Sequence, residues 1–313
     1  MSVDVLQSWL ADGDLDLPLP GRGRTAQRWE RLSGFTEADI VAGRLAEAHT
    51  DAVAILAELG GPAPGAGQLW GVWAAESGQF ELHADDSGGR AVLDGTKPWC
   101  SGAGVCSHAL VTAMLPSGQR GLYAVDLADP GVQPLPSAWT NTGMSESDTR
   151  AVRFDSAPAV AVGAPGRYLS RPGFWHGAVG VAACWLGGAR AVAATLYERV
   201  RHGQVDAHIA AHLGAVDAAL TAAAATLAAA AVDVDADPSD LGGRAELVAR
   251  RARAVVETAV DETLSRTARA LGPAPLCADP VHAKRVADLS IYVRQSHAER
   301  DLERLGLVAG EAA

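Results

Sequence analysis

The sequence lacks the marks of secreted and membrane-spanning proteins. Only four of its 313 residues are cysteine, and none has Cys-x-x-Cys spacing, so no disulfide framework is expected. No secretory leader is expected either, because Asp12 and Asp14 follow directly after Leu10. The most apolar run, 222–232, is too short and too rich in alanine to cross a bilayer. These absences favour the reducing cytoplasm and predict no membrane partner.

Positive charge is in the minority. The net charge is −11 at pH 7, which argues against a nucleic-acid partner held through its phosphates. Hydrophobic residues make up 48% of the chain and charged residues 20%, as in globular proteins. A chain of this length and composition can bury a large core in two or three structural parts.

A metal ligand set is missing as well. His202, His208 and His212 lie near one predicted helix start, but no carboxylate or cysteine joins them in a ligand pattern. Structural zinc sites combine four such ligands. We therefore predict no bound metal.

The N-terminal residues have little periodic pattern. Prolines and glycines between 18 and 23 interrupt any long element in residues 1–34, and several arginines make this region basic. We expect a solvated arm, or an arm that lies over a partner subunit or an anionic ligand. Thr36 and Asp39 have the spacing of a capping box, which predicts a helix up to Gly60.

Residues 69–165 have β-type patterning. Short apolar runs with glycine and proline between them predict a small all-β barrel or sandwich. The Asp94-Gly95 pair predicts a hairpin turn. The predicted strands are Phe80–His83, Ala91–Leu93, Ala109–Leu115, Gly121–Val125, Ala151–Phe154 and Ala159–Val162.

Helical spacing returns from Arg171 onward. Apolar residues recur at intervals of three and four, and small residues favour close helix packing. The pattern alone predicts an α+β chain with a helical C-terminal half. The predicted elements are helices at 180–199, 208–232 and 247–271, an acidic loop at 233–240, and a last helix at 281–305 that ends at Gly306.

The stretch 94–104 carries the main functional signal. Its aromatic residue, its hydroxyl and the open backbone amides of its glycine-rich bend suit a planar ligand that forms hydrogen bonds. It resembles the flavin-contacting strand of the acyl-CoA dehydrogenase family, which usually has the sequence Gly-x-Lys-x-Trp-Ile-Thr-Asn-Gly. The matching residues are Gly95, Lys97, Trp99 and Ser101, whereas Cys100 and Gly102 differ.

Two further blocks support the resemblance. Residues 143–155 resemble the family's Gly-x-x-x-Ser-x-Thr strand. Residues 71–78, with Glu76 among them, occupy the place of its Thr-Glu-Pro-Gly turn. The resemblance implies an acyl-CoA dehydrogenase-like fold in a truncated, divergent member, assembled as a homodimer or homotetramer. It divides the chain into a short helical N-terminal part at 1–65, a middle β-domain at 66–165 and a C-terminal helical bundle at 166–313.

The resemblance also implies an FAD site. Trp99 would pack against one face of the flavin ring, and Ser101 would donate to the ring nitrogen that receives hydride. Backbone amides near Ala74 and Ala75 would hold the pyrimidine edge. The protein would position the ring and tune its polarity.

The phosphate side of this site departs from the family. Arg201 is what remains of the family's Arg-x-x-Phe-Gly segment, and the Phe-Gly pair is absent. Glu81 stands where the family has a serine near the phosphates, and its charge would repel a diphosphate. Gly272 matches the turn that receives the cofactor of a neighbouring subunit.

The catalytic base departs furthest. The family uses a glutamate, and the two matching places hold Gln295 or Ser296 and Gly177, none of which can take a proton at neutral pH. The family's flavin-dependent monooxygenases instead have a histidine near the C-terminus, a place matched by His297. The alternative for His297 is an exposed histidine among charged neighbours.

These observations predict an FAD-dependent oxidoreductase without the usual glutamate. Its substrate would be a small molecule such as an acyl thioester. The alternative is a catalytically silent member of the family that serves as a binding or structural partner. The missing Phe-Gly pair, the charge of Glu81 and the expected lack of the family's earlier N-terminal helices favour that alternative.

Overall fold

A computed structural model of the chain describes residues 2–76, 81–86, 90–203 and 205–312. The chain divides into two compact units. The first comprises Met1–Leu17, Leu45–Thr140 and Ser145–Phe174, and it contains the strands. The second comprises Pro18–Arg44, Asn141–Met144 and Trp175–Ala313, and it is helical.

Seven strands form one mixed sheet in the described part of the first unit. Strand β4 pairs with β2, and the path then runs through β3, β7 and β5 back to β4, so these five strands close a barrel. Strand β1 joins β4 in parallel, and β6 joins β7 antiparallel. The strands are β1 (Trp70–Trp73), β2 (Leu82–Asp85), β3 (Ala91–Cys100), β4 (His108–Met114), β5 (Arg120–Asp126), β6 (Val132–Pro134) and β7 (Arg150–Ala161).

The described helices extend over most of the remaining chain. Their bounds are α1 (Ser2–Ala11), α2 (Thr25–Ala38), α3 (Ile40–Leu59), α4 (Arg167–Ser170), α5 (Pro172–Arg201), α6 (Ala207–Ala236), α7 (Ala245–Leu271), α8 (Ala274–Ala278), α9 (Pro280–Tyr292) and α10 (Glu299–Glu311).

The core of the barrel is built by alternate residues of its strands. Side chains such as Leu93, Val111, Tyr123 and Phe154 face one another inside it and are almost fully buried. The neighbouring positions on β4 and β5 point outward and pack under α3, where Leu110 is also fully buried. Strand β4 is therefore buried on both faces, which explains its largely apolar sequence, broken between Ala109 and Met114 only by Thr112.

The predicted hairpin turn at Asp94-Gly95 is wrong. Both residues lie inside β3, where a register shift against β7 marks a bulge. Gly95 has φ +123°, and a Cβ there would overlap the carbonyl oxygen of Glu81. The glycine therefore allows a close approach between β2 and β3 and does not reverse the chain.

Two other predicted strands differ from the structure or extend beyond its description. The two runs predicted at 151–162 form a single strand, β7. The Phe80 end of the first predicted strand lies outside the described residues.

The prediction of a solvated N-terminal arm is also wrong. Residues 1–34 contain α1 and most of α2, and the turn before α2 is held by Asp235 of α6. The hydroxyl of Thr25 donates to Asp235 at 2.6 Å, and the amide of Gly23 donates to the same carboxylate at 3.0 Å. Asp39, rather than Thr36, caps α3 by accepting from the amide of Ala42 at 2.8 Å.

Among the described residues, two helices are long and apolar enough to cross a membrane by length and composition. In α5, 78% of the most apolar 18-residue stretch is buried within the protein, as expected of a core helix. In α6, only 33% of the corresponding apolar stretch of that helix is buried. Close packing of α5 depends on glycine, because a Cβ at Gly187 would overlap the backbone of Ser33 on α2.

The last predicted helix is two helices. Helix α9 ends at Tyr292, a 3₁₀ turn covers Val293–Gln295, and α10 begins at Glu299. Gly306 lies inside α10 and does not end it. The break places Gln295 at the end of the 3₁₀ turn and Ser296 directly after it, whereas Gly177 lies in α5.

Candidate functional site

Trp99 lies at the end of β3 in an unusual conformation. It lies within a second register shift, between Lys97 and Cys100, and its φ is +58°. A bulky residue at positive φ is a strained backbone position, which is found mainly at functional sites. Its side chain is 59% exposed although the adjacent strand residues are buried. The bulge therefore turns this indole out of the barrel core.

Trp139 accompanies Trp99. The two rings meet edge to face, with centroids 6.4 Å apart and planes at 85°. This geometry is favourable for aromatic pairs. Sequence reasoning missed Trp139, because it lies in an irregular loop 40 residues further along the chain and matches none of the three family blocks.

Ser101 belongs to a chain of hydroxyl groups. Its Oγ lies 3.0 Å from Oγ1 of Thr149, which in turn lies 2.8 Å from Oγ of Ser147. The Trp73 indole donates to the carbonyl oxygen of Ser101 at 3.0 Å. The blocks 94–104 and 143–155, which resemble the same family separately, therefore meet at these hydroxyls.

The glycine-rich bend after Ser101 does not leave its amides open. The amide of Gly102 donates to the Ser147 carbonyl at 2.8 Å, and that of Ala103 to the Asp148 carbonyl at 3.2 Å. The amide of Gly104 donates to the Asp148 carboxylate at 2.7 Å. The expectation that these amides are free for a ligand is therefore wrong, and their role is to hold β3 against the segment before β7.

Ala74 and Ala75 follow directly after β1. Ala74 is half-buried and Ala75 is exposed, in a segment without regular secondary structure. Glu76 comes next, and residues 77–78 of the matching family block lie outside the described residues. Glu76 forms an ion pair with Arg120 of β5, and one of its oxygens lies 3.8 Å from Nζ of Lys97.

Lys97 is a buried lysine in the barrel wall. It is 3% exposed, and its Nζ donates to the carbonyl oxygen of Thr112 at 2.9 Å and to its hydroxyl at 2.8 Å. Burial lowers the pKa of Lys97 to about 8, although Glu76 acts in the opposite direction. The sequence resemblance marked the position but not its partners, because these come from distant strands.

Arg201 lies in the last turn of α5 and lines a cavity of about 420 Å³. The lining is of mixed charge, with Arg190 as a second cation and Glu37 as an anion. Tyr197 also lines it and donates to Asp217 at 2.7 Å. Burial raises the pKa of Tyr197 to about 12, with help from that hydrogen bond, so its phenol stays neutral at ordinary pH.

Gly272 ends α7. Its φ is +67°, and its amide donates to the Ala268 carbonyl at 3.0 Å. With ψ −165°, this backbone lies outside the left-handed helical region, in a conformation that essentially only glycine adopts. A Cβ at this position would meet nothing within 4 Å, so the turn is open on that side.

His297 lies in the break between α9 and α10. Its side chain is 69% exposed, and its Nδ1 is 3.7 Å from the carboxylate of Asp301. Burial acts to raise the pKa of Asp301, but the amide of His297 and nearby arginines outweigh it and hold the pKa below its usual value. Asp301 also pairs with Arg250 at 3.3 Å, so the imidazole adjoins a network of charges.

A carboxylate adjoins the expected base position after all. Ser296 donates to Glu257 of α7 at 2.6 Å, and Arg294 lies 3.8 Å from the same carboxylate. Sequence reasoning passed over Glu257, because it lies on a different helix from the family's base positions. Among the described residues, no group of three or more histidine, cysteine or acidic side chains is arranged to hold a metal ion.

The chain resembles known proteins in structure. No protein-family model matches the sequence, and no curated protein matches it. Dibenzothiophene monooxygenase from Paenibacillus sp. A11-2, solved also with FMN and indole, is 20% identical with a TM-score of 0.78, covering 90% of this chain and 82% of its own. KijD3, solved with FMN and a dTDP-linked amino-keto sugar, is 19% identical with a TM-score of 0.80, covering 99% of this chain and 86% of its own.

Butyryl-CoA dehydrogenase from Megasphaera elsdenii is similar as well. It is 17% identical with a TM-score of 0.75, and the match covers 89% of this chain and 80% of that enzyme. Likeness at this level of identity establishes the fold. The chain therefore has the acyl-CoA dehydrogenase fold, as the sequence resemblance implied.

Proposed function

We propose that this protein is a flavin-dependent oxidoreductase. The observation that carries the proposal is Trp99, an exposed indole in a strained backbone conformation beside a serine hydroxyl. Such strain persists where function requires it. Similar folds hold FMN in two of the solved structures, dibenzothiophene monooxygenase and KijD3.

The residues at this place fit a flavin ring. Trp99 offers an apolar face, and Ser101 offers a hydrogen-bond donor. If Ser147 donates to Thr149 and Thr149 donates to Ser101, the Ser101 hydroxyl keeps its own proton for an outside acceptor. A bound flavin would supply hydride or electron transfer, which no amino-acid side chain provides. Ala74 and Ala75 would hold the pyrimidine edge through their backbone amides.

FAD is the proposed form of the flavin. Arg201 and Arg190, which line one cavity, are available to neutralise a diphosphate, and Gly272 would belong to a site shared with a neighbouring subunit. FMN is the second candidate, because it is the flavin named with two of the similar structures. Separate titrations with FAD and FMN, followed by flavin fluorescence, distinguish the two by their dissociation constants.

The proposed reaction does not use the family's glutamate. Gln295, Ser296 and Gly177 cannot accept a proton, so we propose His297 as the group that moves protons near the substrate. The substrate is a small molecule, and plain dehydrogenation of an acyl thioester would be slow.

The proposed assembly is a homodimer or homotetramer in the cytoplasm. Helix α6 is apolar, yet only 33% of its most apolar window is buried within the chain, so a second copy would cover it. The net charge of −11 disfavours nucleic acid as a partner. Light scattering at micromolar concentration tests the assembly, and a monomer would contradict it.

A catalytically silent binding or structural protein is the second candidate function. It is favoured by the occupied amides of Gly102, Ala103 and Gly104, which are not available to a ligand. The absorption spectrum of the purified protein decides between the two. We expect a visible flavin absorption band, directly or after incubation with FAD or FMN. A colourless protein that takes up neither flavin would contradict the proposed oxidoreductase.

A further inference from the structure

We infer that Lys97 and Glu76 form a brace that fixes the segment at Ala74 and Ala75 against strand β3, and that this brace sets the affinity for flavin. The inference rests on the proposed function, because both joined segments belong to the proposed ring site. Lys97 lies two residues before Trp99, and Glu76 follows directly after Ala75. Neither residue is proposed to touch the flavin, so both are positioning residues.

Lys97 is buried and needs a negatively charged partner. Its Nζ uses two of its three protons on the carbonyl and hydroxyl oxygens of Thr112 in β4. An ammonium group in the barrel wall costs free energy unless it meets a negative charge. The carboxylate of Glu76, 3.8 Å away, is the only acidic side chain found to act on it among the described residues.

Glu76 is held in position by two strands of the barrel. Its side chain is 40% exposed and belongs to a segment without regular secondary structure, so hydrogen bonds of a helix or sheet do not fix it. One oxygen approaches Lys97 of β3, and the other pairs with Arg120 of β5. Two strands of the closed barrel therefore hold one carboxylate, and through it the adjacent amides of Ala74 and Ala75.

The strength of the brace depends on the protonation of Lys97. The charged groups that act on Lys97 are Glu76 and Arg120, and the titratable thiol of Cys100 on β3 is a further neighbour. Burial raises the pKa of the Cys100 thiol far above neutrality, so this thiol stays uncharged. Because burial lowers the pKa of Lys97 to about 8, the attraction to Glu76 weakens as the pH rises past that value. If the brace sets the affinity, its weakening should release the 74–76 segment, and flavin binding should weaken with it.

The experiment measures FAD and FMN dissociation constants by fluorescence titration of the full-length protein. The variants are Glu76→Gln, which removes the charge at a partly exposed position, and Lys97→Met, which removes the ammonium group. Glu303→Gln on α10 is the matched control, because this exposed glutamate lies far from the strands in sequence. We expect Glu76→Gln to weaken flavin binding about tenfold, because a hydrogen bond to a charged group contributes about 1.5 kcal/mol, and we expect the control to be unchanged.

The pH profile separates positioning from a merely structural role. In the wild type, affinity should fall above about pH 8, whereas in Glu76→Gln it should be weak and flat with pH. Far-UV circular dichroism checks that each variant is folded, and Glu76→Gln decides the matter if Lys97→Met does not fold. If Glu76→Gln has the same affinity and pH profile as the wild type, the inference is wrong and the proposed function is unaffected. If the wild type binds neither flavin, both the inference and the proposed function are wrong.

Discussion

The indole of Trp139 meets Trp99 edge to face, with ring centroids 6.4 Å apart and planes at 85°. Trp99 is more than half exposed and strained in its backbone, so this contact helps to hold its ring in one orientation. The relationship makes Trp139 a part of the proposed ring site that no family motif marks.

Removing the Trp139 ring should therefore loosen Trp99. We expect Trp139→Ala to weaken flavin binding about fivefold, since an aromatic pair contributes about 1 kcal/mol. Trp139→Phe keeps an aromatic edge and should stay close to the wild type. Fluorescence titration with FAD and FMN measures both variants, and equal affinities in the two would argue that the contact is incidental.

The hydroxyl chain from Ser147 to Ser101 gives a second prediction. Thr149→Val keeps the shape of the side chain but removes the hydroxyl between Ser147 and Ser101, which in the proposed donor order directs the Ser101 proton outward. We expect flavin affinity to fall about fivefold, because one hydrogen bond contributes about 1 kcal/mol. Thr149→Ser retains the hydroxyl and should bind nearly as the wild type does. If Thr149→Val binds flavin as tightly as Thr149→Ser, the proton of Ser101 is not directed by this chain.

The lowered pKa of Lys97 predicts how stability depends on pH. In the folded protein this pKa is about 8, and its ordinary value is 10.5. Between the two values the unfolded chain keeps a proton that the folded chain has released. The contribution of Lys97 to the free energy of unfolding should then rise with pH, by up to about 1.4 kcal/mol per unit.

Urea unfolding of the wild type and Lys97→Met, from about pH 7 to about pH 10, isolates this contribution. The difference in stability between the two proteins should change in favour of the wild type as the pH rises. Parallel pH profiles would show that Lys97 titrates normally. The expected sign is opposite to that for flavin affinity, which makes the two effects separable.

Gly95 provides a prediction about folding stability. It has φ +123°, and a side chain there would overlap the backbone of Glu81. Gly95→Ala should lower the free energy of unfolding by about 2 kcal/mol or more, through strain and displacement of β2. Gly118→Ala is the control, because Gly118 has φ +78° but open space around it, and it should cost about 1 kcal/mol. Equal losses in the two variants would mean that β2 does not approach β3 as closely as described.

The proposed chemistry predicts weak dehydrogenation of a plain acyl-CoA by the flavin-loaded protein. A positioned base usually contributes about a hundredfold or more in rate, and the family's glutamate is absent. Any activity found with an artificial electron acceptor should fall about a hundredfold in His297→Ala, with His208→Ala as an exposed control. A loss in Glu257→Gln with none in His297→Ala would instead identify Glu257, beside Ser296, as the base.

The sequence by itself determined the order of the main helices and strands after residue 36. Residues of similar polarity recur at helical spacing in α5, α6 and α7, and short apolar runs correspond to β4, β5 and β7. These periods follow from backbone geometry and need no knowledge of the partner surfaces. The three family blocks likewise implied the acyl-CoA dehydrogenase fold, which the solved structures confirm.

Local signals failed where distant residues compete with them. Asp94-Gly95 has the composition of a turn, but the gain from continuous pairing of β3 with β2 and β7 makes it a bulge. The region 1–34 has little pattern, yet Asp235 from a distant helix holds the start of α2. Propensity acts over a few residues, whereas tertiary contacts decide between conformations of similar local energy.

Only the tertiary structure decided how the candidate site is assembled. The contacts of Trp99 with Trp139, of Ser101 with Thr149 and of Lys97 with Glu76 each join segments that lie far apart in the sequence. Barrel closure also engages the amides of the glycine-rich bend in hydrogen bonds, whereas the motif alone predicted that these amides are free. A motif specifies which groups are present, but their direction, burial and partners depend on strand register, and register is set by packing of the whole barrel.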